Sequence, residues 1–176
     1  MKKKQKRKLL NLIRIIAIIL LLFAIFKGIL VLVVLIGLSL AMSYIVNNFG
    51  LRQLGLELVT FIAVLTGMKY GPWVAFGITF VLITYHLVAG GFMGNYVLWT
   101  IPAWSIAAII SGFLPQANIV SLGIYTTLAI NANNVFFTAI TRPTFLPTYL
   151  IYVITNIIFN IILFSIFGRP LLVLIR

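Results

Sequence analysis

The sequence contains no cysteine, a single histidine, His86, and a single acidic residue, Glu57. Without cysteine there are no disulfides and no thiolate chemistry, and the redox compartment is not legible. Metal-assisted hydrolysis needs clustered His, Asp, Glu or Cys, which one imidazole and one carboxyl group do not supply. No Walker A loop is present, so the chain does not hydrolyse ATP by itself and any transport draws energy from partners. Neither Glu57 nor His86 forms a proton relay alone. These absences point away from an enzyme, and no cofactor or metal is expected.

Charge in general is scarce. Charged residues make up 8% of the 176 residues and apolar ones 63%, too little polar surface to cover a water-soluble domain of this size. The expected solvent is therefore membrane lipid, and the expected fold class is an all-α integral membrane protein. A span needs roughly 20 mainly apolar residues, so the chain holds about six or seven spans with tight connections and no separate soluble domain.

The 13 Lys and Arg residues are not spread over a face as in a nucleic-acid binder, and no nucleic-acid partner is expected. Lys2, Lys3, Lys4, Lys6, Arg7 and Lys8 form a cluster beside an apolar run. Such a cluster stays in the cytoplasm and is drawn to anionic lipid. It also resembles the start of a secretory signal, but no small-residue cleavage site follows and the apolar run resumes after Lys27 and Gly28. The segment is expected in the mature protein.

Interruptions by Gly, Pro, Asn and charge divide the apolar runs into 9–26, 29–46, 55–69, 73–90, 97–113, 119–138 and 147–168. The break at Lys27 and Gly28 reads either as a hairpin turn or as a bend in one long helix. If the run from Ile29 enters from the cytoplasm, Lys27, Lys69, Arg169 and Arg176 fall inside and only Arg52 and Arg142 outside, as the positive-inside rule favours. Residues 9–26 then become a cytoplasmic-side or obliquely inserted helix. A seventh span with an inverted core is the alternative, favoured by a segment apolar nearly all round. The chain divides into 1–28, a basic start with an extra apolar helix, and 29–176, a six-helix core.

Gly71-Pro72 between the second and third core helices, within Gly67-Met68-Lys69-Tyr70-Gly71-Pro72-Trp73-Val74-Ala75-Phe76-Gly77, resembles the tight inner turn of the substrate-binding S components of energy-coupling factor (ECF) vitamin transporters. The ending, from Leu146-Pro147-Thr148-Tyr149-Leu150 through Asn156 and Asn160 to Phe167-Gly168-Arg169-Pro170, is similar to that family's last helix and short tail. The likeness covers 29–176. The extra run at 9–26 lies outside it, and where many members carry an acid this chain has Thr84, Tyr85 and His86. The resemblance implies a six-helix bundle that captures a small water-soluble nutrient from outside and docks onto a membrane-embedded coupling subunit driven by two cytoplasmic ATPases. It also implies that Gly37 and Ala41, small residues four apart on the first core helix, contact that coupling subunit. Packing of that pair within the bundle is the alternative, and Ser39 with Ser43 form a second small pair about 160° away.

The polar residues inside the spans are the remaining candidates. Asn131, Asn133 and Asn134 sit in one apolar run, and amides exposed to hydrocarbon are costly, so they face the interior or a wet cavity. Asn131 and Asn134 share a helix face, as do Asn156 and Asn160 on the next helix. The two ladders either bond each other or line a pocket. The outer set, Asn131, Asn133 and Asn134 with Tyr149 and Tyr152 at a similar depth, is assigned to ligand, the deeper Asn156 and Asn160 to packing. Arg142 can grip a carboxylate or phosphate with two parallel hydrogen bonds or serve as a solvated interface anchor, and Arg52 has the same two readings. Glu57, near a helix start, caps it or pairs with Arg52 or Arg142. His86 is either satisfied internally or a ligand contact.

Tyr96, Trp99 and Trp104 form an interfacial belt or a stacking surface for a flat ring, beside a loop whose Gly90, Gly91 and Gly94 turn the chain or close over a ligand. The candidate substrate contacts are thus Asn131, Asn134, Arg142, His86, Trp99 and Tyr149, for a neutral or anionic aromatic small molecule. From a different class, a membrane scaffold resembling the rod-shape-determining protein MreD is the competing reading. An autonomous carrier is disfavoured because no inverted repeat is evident.

Overall fold

The computed structural model describes residues 3–92 and 94–175; Lys2 and Arg176, part of the charge reading, lie outside them. The described residues form seven α-helices and no strand: α1 Lys3–Asn48, α2 Val59–Tyr70, α3 Pro72–Gly90, α4 Val97–Phe113, α5 Ile119–Thr141, α6 Leu146–Leu163 and α7 Arg169–Ile175. Three stretches are long and apolar enough to cross a membrane, Phe26–Asn48 within α1, Pro72–Gly90, and Pro143–Ile175. Val59–Tyr70 and Val97–Phe113 are shorter apolar helices. Large apolar side chains such as Val33, Val81, Leu98 and Phe136 cover the outside. These are the features of a helical membrane protein.

The break at Lys27 and Gly28 is not a hairpin turn; of the two readings, the single long helix is the one the structure shows. α1 runs through it as one helix of 46 residues. A lone glycine flanked by strong helix formers costs only about 1 kcal/mol, and no proline lies nearby to cut the ladder. Gly28 has a packing reason: a Cβ there would meet the Ile175 carbonyl oxygen at 2.8 Å and the Tyr70 hydroxyl at 3.3 Å.

The other boundaries follow local chemistry. α2 ends at Gly71, whose φ of 85° suits glycine, and Pro72 opens α3, where its missing N–H is no loss. Asn118 caps α5 by accepting from the amides of Val120 and Ser121. A π turn, Phe164–Gly168, joins α6 to α7 just before Pro170. A wider turn here suits a proline, which brings no N–H and whose ring would crowd the carbonyl four residues back in a regular α-helix.

The span expected from residue 55 begins as helix only at Val59, and α2 has 12 residues, too few to cross alone. It has no need to meet lipid. Residues 59–68 are all buried, enclosed by the other helices, and the incoming loop is satisfied by protein: the Gly55 amide donates to Thr155 Oγ1 at 2.8 Å and the Gly55 carbonyl accepts from Asn156 Nδ2 at 2.8 Å. Irregular backbone at this depth is tolerated when so partnered.

Glycines bring helices into contact around α2. A Cβ on Gly67 would lie 2.9 Å from the Ala108 carbonyl, one on Gly112 would strike the Pro72 backbone, and one on Gly123 the ring of Phe164, which packs on Phe61 with centroids 5.0 Å apart. Such contacts give the bundle two ends. Lys27 and Gly28, Lys69 and Tyr70, and Arg169–Ile175 gather at one; Asn47, Arg52, Gly94 and Arg142 gather at the other.

Gly112→Ala should therefore lower the melting temperature of the purified protein, with an overpacking cost of about 1 to 3 kcal/mol. Gly77→Ala, where an added Cβ meets nothing within 4 Å, should leave it unchanged or slightly raised. Equal melting temperatures for both variants and wild type would contradict the close crossing.

Candidate functional site

Two polar features occupy the Arg52 and Arg142 end, a sealed hydrogen-bonded seam and a cavity beside it. The seam centres on Glu57, which is 1% exposed. Its carboxyl oxygens accept from the Thr60 amide at 2.9 Å, the Thr60 hydroxyl at 2.6 Å, Asn156 Nδ2 at 3.3 Å and Asn160 Nδ2 at 3.4 Å. None of these partners is a cation. Of the two roles expected for Glu57, the structure shows helix capping and not pairing with Arg52 or Arg142. Asn131 Nδ2 extends the seam to α5, donating to Asn156 Oδ1 and the Thr127 carbonyl, both at 2.8 Å.

The cavity, about 540 Å³, opens between the loops at this end. Its mouth carries the exposed residues Arg52, Gly94, Arg142, Phe145 and Thr148, while Trp99, Thr100, Trp104, Thr138 and Tyr149 form buried wall. The helix geometry orders the wall: Tyr96, Trp99, Thr100 and Trp104 succeed one another down α4, so Trp104 lies deepest of them. Its indole donates to Thr60 Oγ1 at 3.0 Å, which joins the cavity floor to the Glu57 seam.

Aromatic packing stiffens the walls. Trp99 stacks on Phe137 with centroids 5.5 Å apart and planes 15° from parallel, and Tyr149 stacks on Tyr152 at 5.4 Å and 12°. Tyr96 meets both Trp99 and Tyr149 edge-on, and the Tyr96 and Tyr149 hydroxyls lie 3.0 Å apart. On the α1 side, Ser43 Oγ and His86 Nδ1 are 2.9 Å apart, Asn47 Nδ2 donates to the His86 carbonyl at 3.1 Å, and Arg52 Nε donates to the Asn47 carbonyl at 2.8 Å. The Arg142 guanidinium lies over Gly94, where an added Cβ would stand 3.3 Å from Nη2.

No family model, curated protein or solved structure matches the chain.

Of the six candidate substrate contacts, the structure brings four together on the cavity lining: His86, Trp99, Arg142 and Tyr149. Asn131 and Asn134 do not join them. Both are at most 2% exposed, and Asn131 is held by the amide-to-amide bond that was the structural alternative for these ladders. Asn134 stands beside Tyr149, one layer behind the lining. Gly37 and Ala41 are outward-facing, with nothing within 4 Å of a Cβ built on Gly37, whereas Ser39 and Ser43 are buried against the bundle.

Residues the sequence reading passed over include Thr138, Phe145, Thr148 and Asn47. Thr138 was within reach, since it continues the Asn131 and Asn134 face by one more helical turn. Phe145 lies in the short 3-10 turn Pro143–Phe145, which carries no periodic signal. Among the described residues no three His, Cys, Asp or Glu side chains gather in one place.

Asn156→Ala removes the partners of the Gly55 carbonyl and of Asn131 together with one donor to Glu57. Stability should fall by about 1 to 3 kcal/mol, read as a lowered melting temperature in detergent. An unchanged value would show that the seam does not hold α2, α5 and α6 together.

Proposed function

We propose that this protein is a membrane-embedded capture subunit that binds a small water-soluble organic solute in the cavity, presenting it to a coupling subunit powered by two cytoplasmic ATPases, as the ECF S components its sequence resembles do. The observation that carries the reading is the cavity itself, a volume suited to a small molecule and walled by aromatic rings. A scaffold that acts only through its outer surface has no use for such a chamber. With no nucleotide loop in the sequence, delivery depends on partner proteins.

In this reading the core crosses the membrane six times, through the Phe26–Asn48 part of α1, α2 with its incoming loop, α3, α4, α5, and α6 continued by α7. The end holding Lys27, Lys69 and Arg169 faces the cytoplasm and the cavity faces outside. The first half of α1 remains on the cytoplasmic side. Gly37 and Ala41, both exposed on the outside of the bundle, form the face that docks on the coupling subunit, where small residues let helices approach closely.

Orientation is tested by cysteine labelling. A cysteine at Gly94 should react with an impermeant reagent applied to intact cells, and one at Gln116 should not; the opposite pattern would invert the core and turn the cavity inward. Docking is tested by Gly37→Leu and Ala41→Leu, which should abolish co-purification with an ECF coupling subunit while ligand affinity of the isolated protein stays within about twofold. Wild-type protein that co-purifies instead with cell-wall synthesis proteins, and binds no solute, would favour the MreD-like scaffold.

A further inference from the structure

The cavity has two chemically distinct ends, and neither is neutralised by the protein. At the mouth, the Arg142 guanidinium has no hydrogen-bond or ion-pair partner among the described residues, its backbone alone being bonded, to Thr138 and Phe145, and the Arg52 side chain uses only Nε, leaving the two terminal nitrogens of its fork available. The chain's single acid cannot answer them, since Glu57 is sealed in the seam by Thr60, Asn156 and Asn160. A guanidinium fork matches the oxygens of a carboxylate or phosphate in geometry as well as charge.

Deeper in, Trp99 Nε1 and Thr138 Oγ1 are buried and without a hydrogen-bond partner, in residues 8% and 3% exposed that both line the cavity. An indole N–H can only donate, and a buried donor left unmade is costly. The group that satisfies it is therefore an acceptor. Between these ends the lining is aromatic.

We infer that the captured solute is an organic anion: a carboxylate or phosphate gripped by Arg142 and Arg52 at the mouth, attached to a flat ring whose acceptor atom takes the Trp99 indole and Thr138 hydroxyl hydrogens inside. The inference rests on the capture reading and adds the charge and polarity of the ligand. An anionic phospholipid headgroup shares the mouth chemistry but has no ring to reach Trp99.

The test uses full-length protein in phosphatidylcholine nanodiscs and calorimetric titration with aromatic carboxylates and aryl phosphates, each paired with its neutral amide or alcohol. The parent pair is quinoline-6-carboxylate and quinoline-6-carboxamide, whose ring nitrogen lies at the far end from the acid or amide, with naphthalene-2-carboxylate as the probe lacking a ring acceptor. Acids should bind at least about tenfold tighter than their neutral partners, and high salt should narrow the gap. Naphthalene-2-carboxylate should bind more weakly than the quinoline acid. Arg142→Gln should remove most of the acid preference, and Arg52→Gln, should the first variant not fold, should reduce it.

Neutral partners binding as tightly as acids would overturn the anion assignment while leaving the capture reading intact. No binding by any probe would overturn both. Phosphatidylglycerol added to the nanodiscs should not compete with the quinoline acid; if it displaces the acid, the site belongs to a lipid headgroup and the free-solute inference fails.

Discussion

A carboxyl group buried without a cation is the constraint from which most of this structure follows. Glu57 sits where charge is expensive, and every bond to it comes from a neutral donor on Thr60, Asn156 or Asn160. Such an arrangement is stable only if each donor is held in place by something else. Asn156 is fixed by Asn131 and by the Gly55 carbonyl, and Thr60 by the Trp104 indole. The seam therefore positions α2, α5 and α6, and the loop entering α2, in one cooperative network. It also fixes the floor of the cavity, because Trp104 belongs to both.

Committing the only acid to that network shapes the rest of the charge pattern. Apart from Glu57 the sequence has no acidic side chain to pair with Arg52 and Arg142, so the mouth keeps a net positive field. Gly94 contributes by absence, since a side chain there would crowd the Arg142 guanidinium. The aromatic wall supplies rigidity: Trp99 and Tyr149 each stack on a neighbour, which limits the rotamer freedom a ligand would otherwise have to freeze.

The helical, lipid-facing class was legible from composition, because a chain with so few charges has no way to face water. Span boundaries were legible wherever a local device marks them, as at Gly71-Pro72 and Gly91. They failed where tertiary contact overrides local signal. Lys27 and Gly28 read as a break, yet the glycine is there for the approach of Ile175 and Tyr70. Gly55 read as the start of a span, yet it marks a loop pressed against α6. The cavity was half legible, since single residue types of strong character, Arg142, His86, Trp99 and Tyr149, stand out in an apolar chain. The position of the asparagines was not legible, because a carboxamide can bond a ligand or another amide, and only the structure shows Asn131 Nδ2 bonded to Asn156 Oδ1 behind the lining.

The unbroken course of α1 carries a mechanical consequence. At 1.5 Å per residue its 46 residues make a rod about 69 Å long, of which Phe26–Asn48 is the apolar stretch packed beside α3 and α7. The remaining arm, about 34 Å long, has no proline along its course. Gly28 crosses Ile175 near the base of this arm. For a straight arm of that length, a tilt of the bundle by about 10°, within the range helices adopt in bilayers, would move the basic tip through about 6 Å.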